Sequence, residues 1–337
     1  MKHRGRLTLG LHSLLTTFAL LGSVAVIAPA QNGYISFDVP HARGTVPKAL
    51  NQNGLIAGYY LDAAQVQHIF LRSRKGVFVT SEPSNTASSF ITSVNTGGAA
   101  VGQYTDTNSM PHGFLRNAHG TYRNINVPGT LYTNPNGIND VGQVTGNAFD
   151  AQFAHGFLWD VSGTVVLFDV PGGTGFTAAR AINASGAITG YYANGNKESG
   201  YVRDSAGNIT TFDAGTGTQT LTHPLAINSN GQITGTFADD VGAESAFLRE
   251  VDGTITLFQG PELTETDPTS INDLGVIVGL ANFELGFSAF ERDAAGNVSY
   301  IPIPFSNVGS LAAGITNGGH MTGYYIGTDF RFHGWAN

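Results

Sequence analysis

Seven glycines divide this chain into near-equal lengths. Gly58, Gly102, Gly146, Gly190, Gly235, Gly279 and Gly323 follow one another at steps of 44, 44, 44, 45, 44 and 44 residues. Nine residues before each stands a small residue: Ala49, Ser93, Gly137, Ala181, Ala226, Ser270 and Gly314. An aliphatic residue follows it, and then asparagine at Asn51, Asn95, Asn139, Asn183, Asn228 and Asn272, with Thr316 the exception. Three positions later glycine returns in every copy, from Gly54 to Gly319. Further on an aromatic recurs: Phe70, Phe114, Phe157, Tyr201, Phe247, Phe290 and Trp335. A period of this length marks stacked or radially arranged units, none of which can bury its apolar face alone.

Each unit reads as four short strands. The first ends in the small-aliphatic-Asn element, and an N-x-x-G turn leads to the second. Asparagine bonds its own backbone two residues on, and glycine at the fourth place tolerates positive φ. The third strand carries the H/S-G-F pattern, as in His112-Gly113-Phe114, and the fourth resembles Ile209-Thr210-Thr211-Phe212-Asp213. No helical period runs through the chain after residue 30. Four strands per unit in seven copies predict an all-β, seven-bladed β-propeller rather than an open solenoid. The long connection runs from fourth strand to first, as a crossing from a blade's rim to the next blade's centre requires. Ring closure is expected as well. Tyr34-Ile35-Ser36-Phe37-Asp38 is a fourth-type strand without a third, and Phe332-His333-Gly334-Trp335 is a third-type strand without a fourth. Pairing them completes the last blade and removes an open sheet edge.

The pattern I-T-T-F-D, then A-I-N-x-x-G-x-I-x-G-Y-Y, then H-G-F-L-R resembles the HAF-family extracellular repeat proteins of bacteria. Its best copies lie at Ile209 to Asp213, Ala181 to Tyr192 and His112 to Arg116. The resemblance spans the whole repeat region and implies an exported bacterial protein. It brings no catalytic residues.

Export is also read from the residues. Lys2, Arg4 and Arg6 precede an apolar stretch from Leu7 to Ile27, which ends in Ala28-Pro29-Ala30. A basic head, an apolar middle and a small-x-small site make a secretory signal. Residues 1–30 are therefore expected to be removed, leaving a single domain over 31–337 with no further membrane span. The destination is extracellular or periplasmic. Formal net charge is −8 for the 337 residues, and loss of three basic residues makes the mature product more acidic still. That charge argues against nucleic acid as a partner. The absence of cysteine removes disulfides, thiolate metal sites and thiol nucleophiles. A monomer is expected.

No nucleophile elbow, zinc-protease motif, calcium loop or P-loop occurs, so no catalytic residue is assigned. The loops between second and third strands are the candidate site. Asp62, Asp106, Asp150 and Asp239 begin four of them, and Asn194 a fifth. Carboxylates there cap turns or form an acidic rim able to hold calcium or a basic partner. No other cofactor is expected. Tyr59, Tyr191 and Tyr324 follow the repeat glycine and offer stacking surfaces for sugars or proteins. His68, His112, His155 and His333 share one repeat position, and are read as hydrogen-bonding to backbone. Arg72, Arg116, Arg203, Arg249 and Arg292 share another, read as pairing blade to blade or lining a rim. The expectation is an exported, non-catalytic binding or scaffold propeller recognising glycans or surface proteins. The alternatives are an exported propeller enzyme of glycosidase or lyase type, and a structural envelope or matrix component.

Overall fold

The computed structural model describes residues 33–261, 265–283 and 286–337. The expected signal, residues 1–30, lies outside them. Every described element is a β-strand, and no described helix is long and apolar enough to cross a membrane. The strands form four-stranded antiparallel meanders. In the unit with the longest asparagine-to-tyrosine match, the strands are Thr177–Ile182, Ile188–Asn194, Lys197–Arg203 and Ile209–Phe212. They pair in that order, innermost to outermost.

The strand at Ile35–Phe37 is paired far along the chain. It lies antiparallel to Phe332–Ala336, with Ser36 opposite Trp335 and Phe37 opposite Gly334. The outer strand of the last meander therefore comes from the beginning of the described chain. Gly334 makes this fit. A Cβ there would lie 2.4 Å from the Phe37 ring.

The apolar core lies between neighbouring sheets rather than within any one. The repeated aromatics, from Phe70 to Trp335, are all fully buried. Each core cluster draws on two consecutive units. Ile69 and Leu71 of the first pack with Ile91 and Phe114 of the second. Another cluster joins Phe37 and Ala336 of the last meander to Ile56 and Phe70 of the first. Burial of apolar surface between sheets is the main stabilising term.

The seven repeat glycines are required by a close approach. Every innermost strand contains a β-bulge, as between Ala179 and Ala181. A bulge twists its strand and re-aims its peptide groups. The carbonyl of Ala178 is turned toward the neighbouring strand, so that a Cβ on Gly190 would lie 1.8 Å from it. The same carbonyl stands 1.8 to 2.2 Å from the corresponding Cβ position in all the other copies.

Hydrogen bonds add two fastenings. In six copies the turn asparagine donates from Nδ2 to a carbonyl of the next unit, as Asn183 does to Asn228 at 3.0 Å. Its Oδ1 meanwhile accepts from its own turn, as from the N–H of Ala187 at 2.9 Å. The seventh copy has Thr316, whose hydroxyl serves only its own turn by accepting from His320. The second fastening holds the rim-to-centre crossings. Thr45, Thr133, Thr177, Thr222 and Thr266, four residues before the small one, accept a crossing N–H on their hydroxyls.

Candidate functional site

The bulged repeat position varies freely in residue type. Its occupants are Lys48, Thr92, Asn136, Arg180, Leu225, Thr269 and Ala313. All seven line the same central space. It comprises one cavity of about 310 Å³ toward the starts of the inner strands and an adjoining one of about 210 Å³. A third cavity, of about 380 Å³, lies where the N-x-x-G turns of all seven units meet.

Three of these side chains are engaged by neighbours. Thr92 donates to the Pro135 carbonyl at 2.8 Å, Asn136 to Ala179 at 2.8 Å, and Thr269 to Ala312. The two cations are placed differently. Both are exposed to the cavity. Among the described residues the Lys48 ammonium has no ion pair and no hydrogen bond. Walled round by protein, it is harder to keep charged, and its pKa is lowered by that desolvation. Arg180 donates to the Tyr191 hydroxyl at 3.1 Å and lies over that ring, 5.3 Å from its centroid. Among the described residues neither cation meets a carboxylate, and none lines the two cavities they share. The acids of the third cavity, Asp140 and Asp273, are spent on fastening turns, Asp140 to Thr96 and Asp273 to Ser229 and Asn317.

Beside Arg180 the boundary between the fourth and fifth units carries further chemistry. Tyr191 stacks on His223 with centroids 4.1 Å apart, and His223 Nε2 meets the Glu198 carboxylate in a short contact. Beyond them Asp267 is raised in pKa by burial and then by Glu265. Glu244 is raised by burial, then by Asp267 and Glu265.

The loop carboxylates singled out from sequence sit apart from this cavity, each inside its own turn. Asp62 accepts from the N–H groups of Ala64 and Val66, Asp106 from Asn108 and Met110, Asp150 from Gln152 and Phe153, and Asp239 from Val241 and Ala243. Backbone donors, Val66 first, hold the Asp62 carboxyl below the usual range. Asn194 reaches Ser199 at 3.4 Å. Among the tyrosines, Tyr191 is only 9% exposed, covered by His223 on one side and Phe176 on the other. Tyr59 is half-buried, and burial raises its pKa. Tyr324 meets Phe332 edge to face. Among the described residues no group of three or more His, Cys, Asp or Glu is arranged to hold a metal ion.

The shared histidines bond carboxylates, where the sequence reading had backbone. His68 bridges Asp62 and Glu82, His155 bridges Asp150 and Asp169, and His333 bridges Asp329 and Asp38. Each thereby ties the loop between second and third strands to the end of a fourth. In the fourth unit, where Ser199 fills this place, Lys197 makes the corresponding link to Asp213 at 2.7 Å. The arginines stack across unit boundaries. Arg72 lies over Phe37, Arg203 over Phe168, Arg249 over Phe212 and Arg292 over Phe258, each ring belonging to the preceding outer strand. At one boundary the partners are exchanged, with Arg123 on the outer strand and Trp159 on the third. Arg116 departs from this, lying over Tyr122 of its own unit.

No protein-family model matches the sequence, and no curated protein matches it. Similarity to solved structures is extensive in shape and low in sequence. Virginiamycin B lyase from Staphylococcus aureus, in an inactive form with quinupristin, has a TM-score of 0.60 at 13% identity, over 90% of this chain and 99% of that one. The β-propeller domain of the trilobed protease from Pyrococcus furiosus has a TM-score of 0.54 at 8% identity, over 93% and 94%. Puromycin hydrolase has a TM-score of 0.55 at 14% identity, over 86% of this chain and 52% of that one. The fold is accordingly a β-propeller. Likeness at this identity carries no activity.

Proposed function

We propose that the chain is an exported ligand-binding protein, built as a closed seven-bladed propeller and engaging its ligand at the central cavity. Closure is supported by the Ile35–Phe37 pairing and by the core cluster that joins the last sheet to the first. An open row of seven units would have six boundaries between neighbours, and this cluster fills a seventh. Export is supported by the sequence of residues 1–30 and by the resemblance to HAF-type repeats.

One observation carries the binding reading. Repeat positions that hold the fold keep their residue type from copy to copy. The bulged position runs instead from lysine to leucine, and its seven side chains share one cavity. A place released from the demands of the repeat and concentrated at the centre is where a ligand can be told from others. Glycans or surface proteins are the classes proposed. A glycan-array screen of residues 31–337, repeated with Arg180→Ala, tests this. Saturable binding that the substitution weakens supports the reading, and binding indifferent to it removes the cavity from the account.

A second reading has its own observation. Glu198 and His223 pair across two units, His223 stacks on Tyr191, and Tyr191 in turn holds Arg180, an arrangement compatible with a propeller enzyme of glycosidase or lyase type. A His–carboxylate pair is the unit of general acid–base catalysis. Turnover of any bound glycan, abolished by His223→Ala, would move the protein into that class.

A further inference from the structure

We infer that the central cavity is an anion-binding site, in which Lys48 and Arg180 together hold a negatively charged oxygen group. The group is a phosphate, a sulfate or a carboxylate, either free or carried on an acidic sugar. This rests on the central cavity being the binding site, and it names the chemistry of the ligand.

The argument begins with sign. The chain is acidic, with formal net charge −8, yet both charged residues at the bulged positions are cations. They belong to the first and fourth units, so the bulges bring them into one space from distant parts of the sequence. Among the described residues no carboxylate lines the two cavities they share. The nearby acid Glu198 is already taken by His223. Surrounding protein lowers the pKa of Lys48 although its side chain reaches the cavity. An anion beside it would favour its charged form.

The geometry also suits an anion. Arg180 is positioned before any ligand arrives, because the Tyr191 hydroxyl and ring hold its guanidinium. Tyr191 is itself held by its stack on His223. A guanidinium fixed in this way presents paired donors to a planar or tetrahedral oxyanion. Lys48 supplies a mobile point charge. A space of about 310 Å³ admits a phosphate or a single acidic sugar end.

The test is calorimetry on residues 31–337 in a low-salt zwitterionic buffer, with inorganic phosphate, sodium sulfate, oligogalacturonate and a neutral oligosaccharide as separate probes. One anion per chain is expected to bind, and Lys48→Met and Arg180→Met are each expected to weaken it at least tenfold. Lys48→Arg should restore most of the loss. Lys197→Met, which removes a cation already paired with Asp213, should change nothing. Preference for oligogalacturonate over phosphate assigns the group to an acidic glycan, and the reverse assigns it to a free anion. No saturable anion binding, or binding that survives both methionine substitutions, overturns the inference. Binding of the neutral oligosaccharide alone overturns it too, while leaving the central cavity as a binding site. Circular dichroism of each variant establishes that a lost signal is not lost fold.

Discussion

At the scale of single residues, the repeat is written in positions that serve contacts between units. Gly190 illustrates this. It recurs from copy to copy within the second strand, and exists to let a bulged carbonyl approach. Gly190→Ala is expected to destabilise the protein by about 3 kcal/mol, the upper part of the usual range for overpacking. Gly97→Ala, where an added Cβ meets only the Asn95 side chain at 3.4 Å, should cost under about 1 kcal/mol. Urea denaturation separates the two. The turn asparagines make a second case. Their spacing to glycine predicts the turn, and Gly186 has the positive φ, 83°, that such a turn needs. The bond to the next unit could not be read from sequence, because it depends on where the neighbouring carbonyl sits. It explains why the residue is asparagine rather than aspartate, since an ionised carboxylate accepts within its own turn but has no proton to donate to the neighbouring carbonyl. Thr316→Asn should supply the missing donor at the last copy and raise stability by about 1 kcal/mol. A fall in the urea midpoint would show that the last and first units are not spaced like the others.

At the scale of elements, four strands per unit and their connections were legible from the recurring glycines, the N-x-x-G turns and the repeated aromatic. The bulge was not, because no residue type recurs at its position. That is why Lys48 and Arg180 escape a reading by motif, while Asp62, Asp106, Asp150 and Asp239, at an obvious loop start, attract it. The signal that could have found the cavity is the variation at the residue before the small one. The fastening of the closing strand has a consequence for pH. His333 lies between Asp38, just after that strand, and Asp329. The Asp38 hydrogen bond is the first cause of a pKa raised from 6.5 to about 9. A histidine whose folded pKa is raised stabilises fully below its unfolded pKa and loses that contribution as pH rises through the folded one. Stability should therefore fall between about pH 6.5 and 9. His155 contributes in the same direction, since hydrogen bonds to Asp169 and Asp150 outweigh the opposing effect of burial. Melting temperatures of the parent and His333→Gln should differ most at pH 6 and converge above pH 9. A constant difference across that range would mean that His333 acts by packing alone.

At the scale of the whole molecule, closure decides whether the repeat is a ring or a row. The pairing of Ile35–Phe37 with Phe332–Ala336 was readable, since a fourth-type strand at one end and a third-type strand at the other imply each other. What the sequence could not give is the depth of the joint. Phe37 packs into the first unit as well as the last, and Tyr34 meets Trp335 edge to face at 5.7 Å. Deleting residues 31–38 is expected to expose the edge at Phe332–Ala336, shift Trp335 fluorescence to longer wavelength in a Trp159→Phe background, and promote association through the open edge. Unchanged emission would place Trp335 outside the joint. The most direct measurement uses the absence of cysteine in this chain. Ile35 and Ala336 stand opposite each other across the joint, so Ile35→Cys and Ala336→Cys introduce one defined pair. Under mild oxidation the closed ring predicts a disulfide within each monomer, detected as a single cross-linked species by peptide mass mapping. Free thiols, or disulfides formed only between molecules, would contradict it.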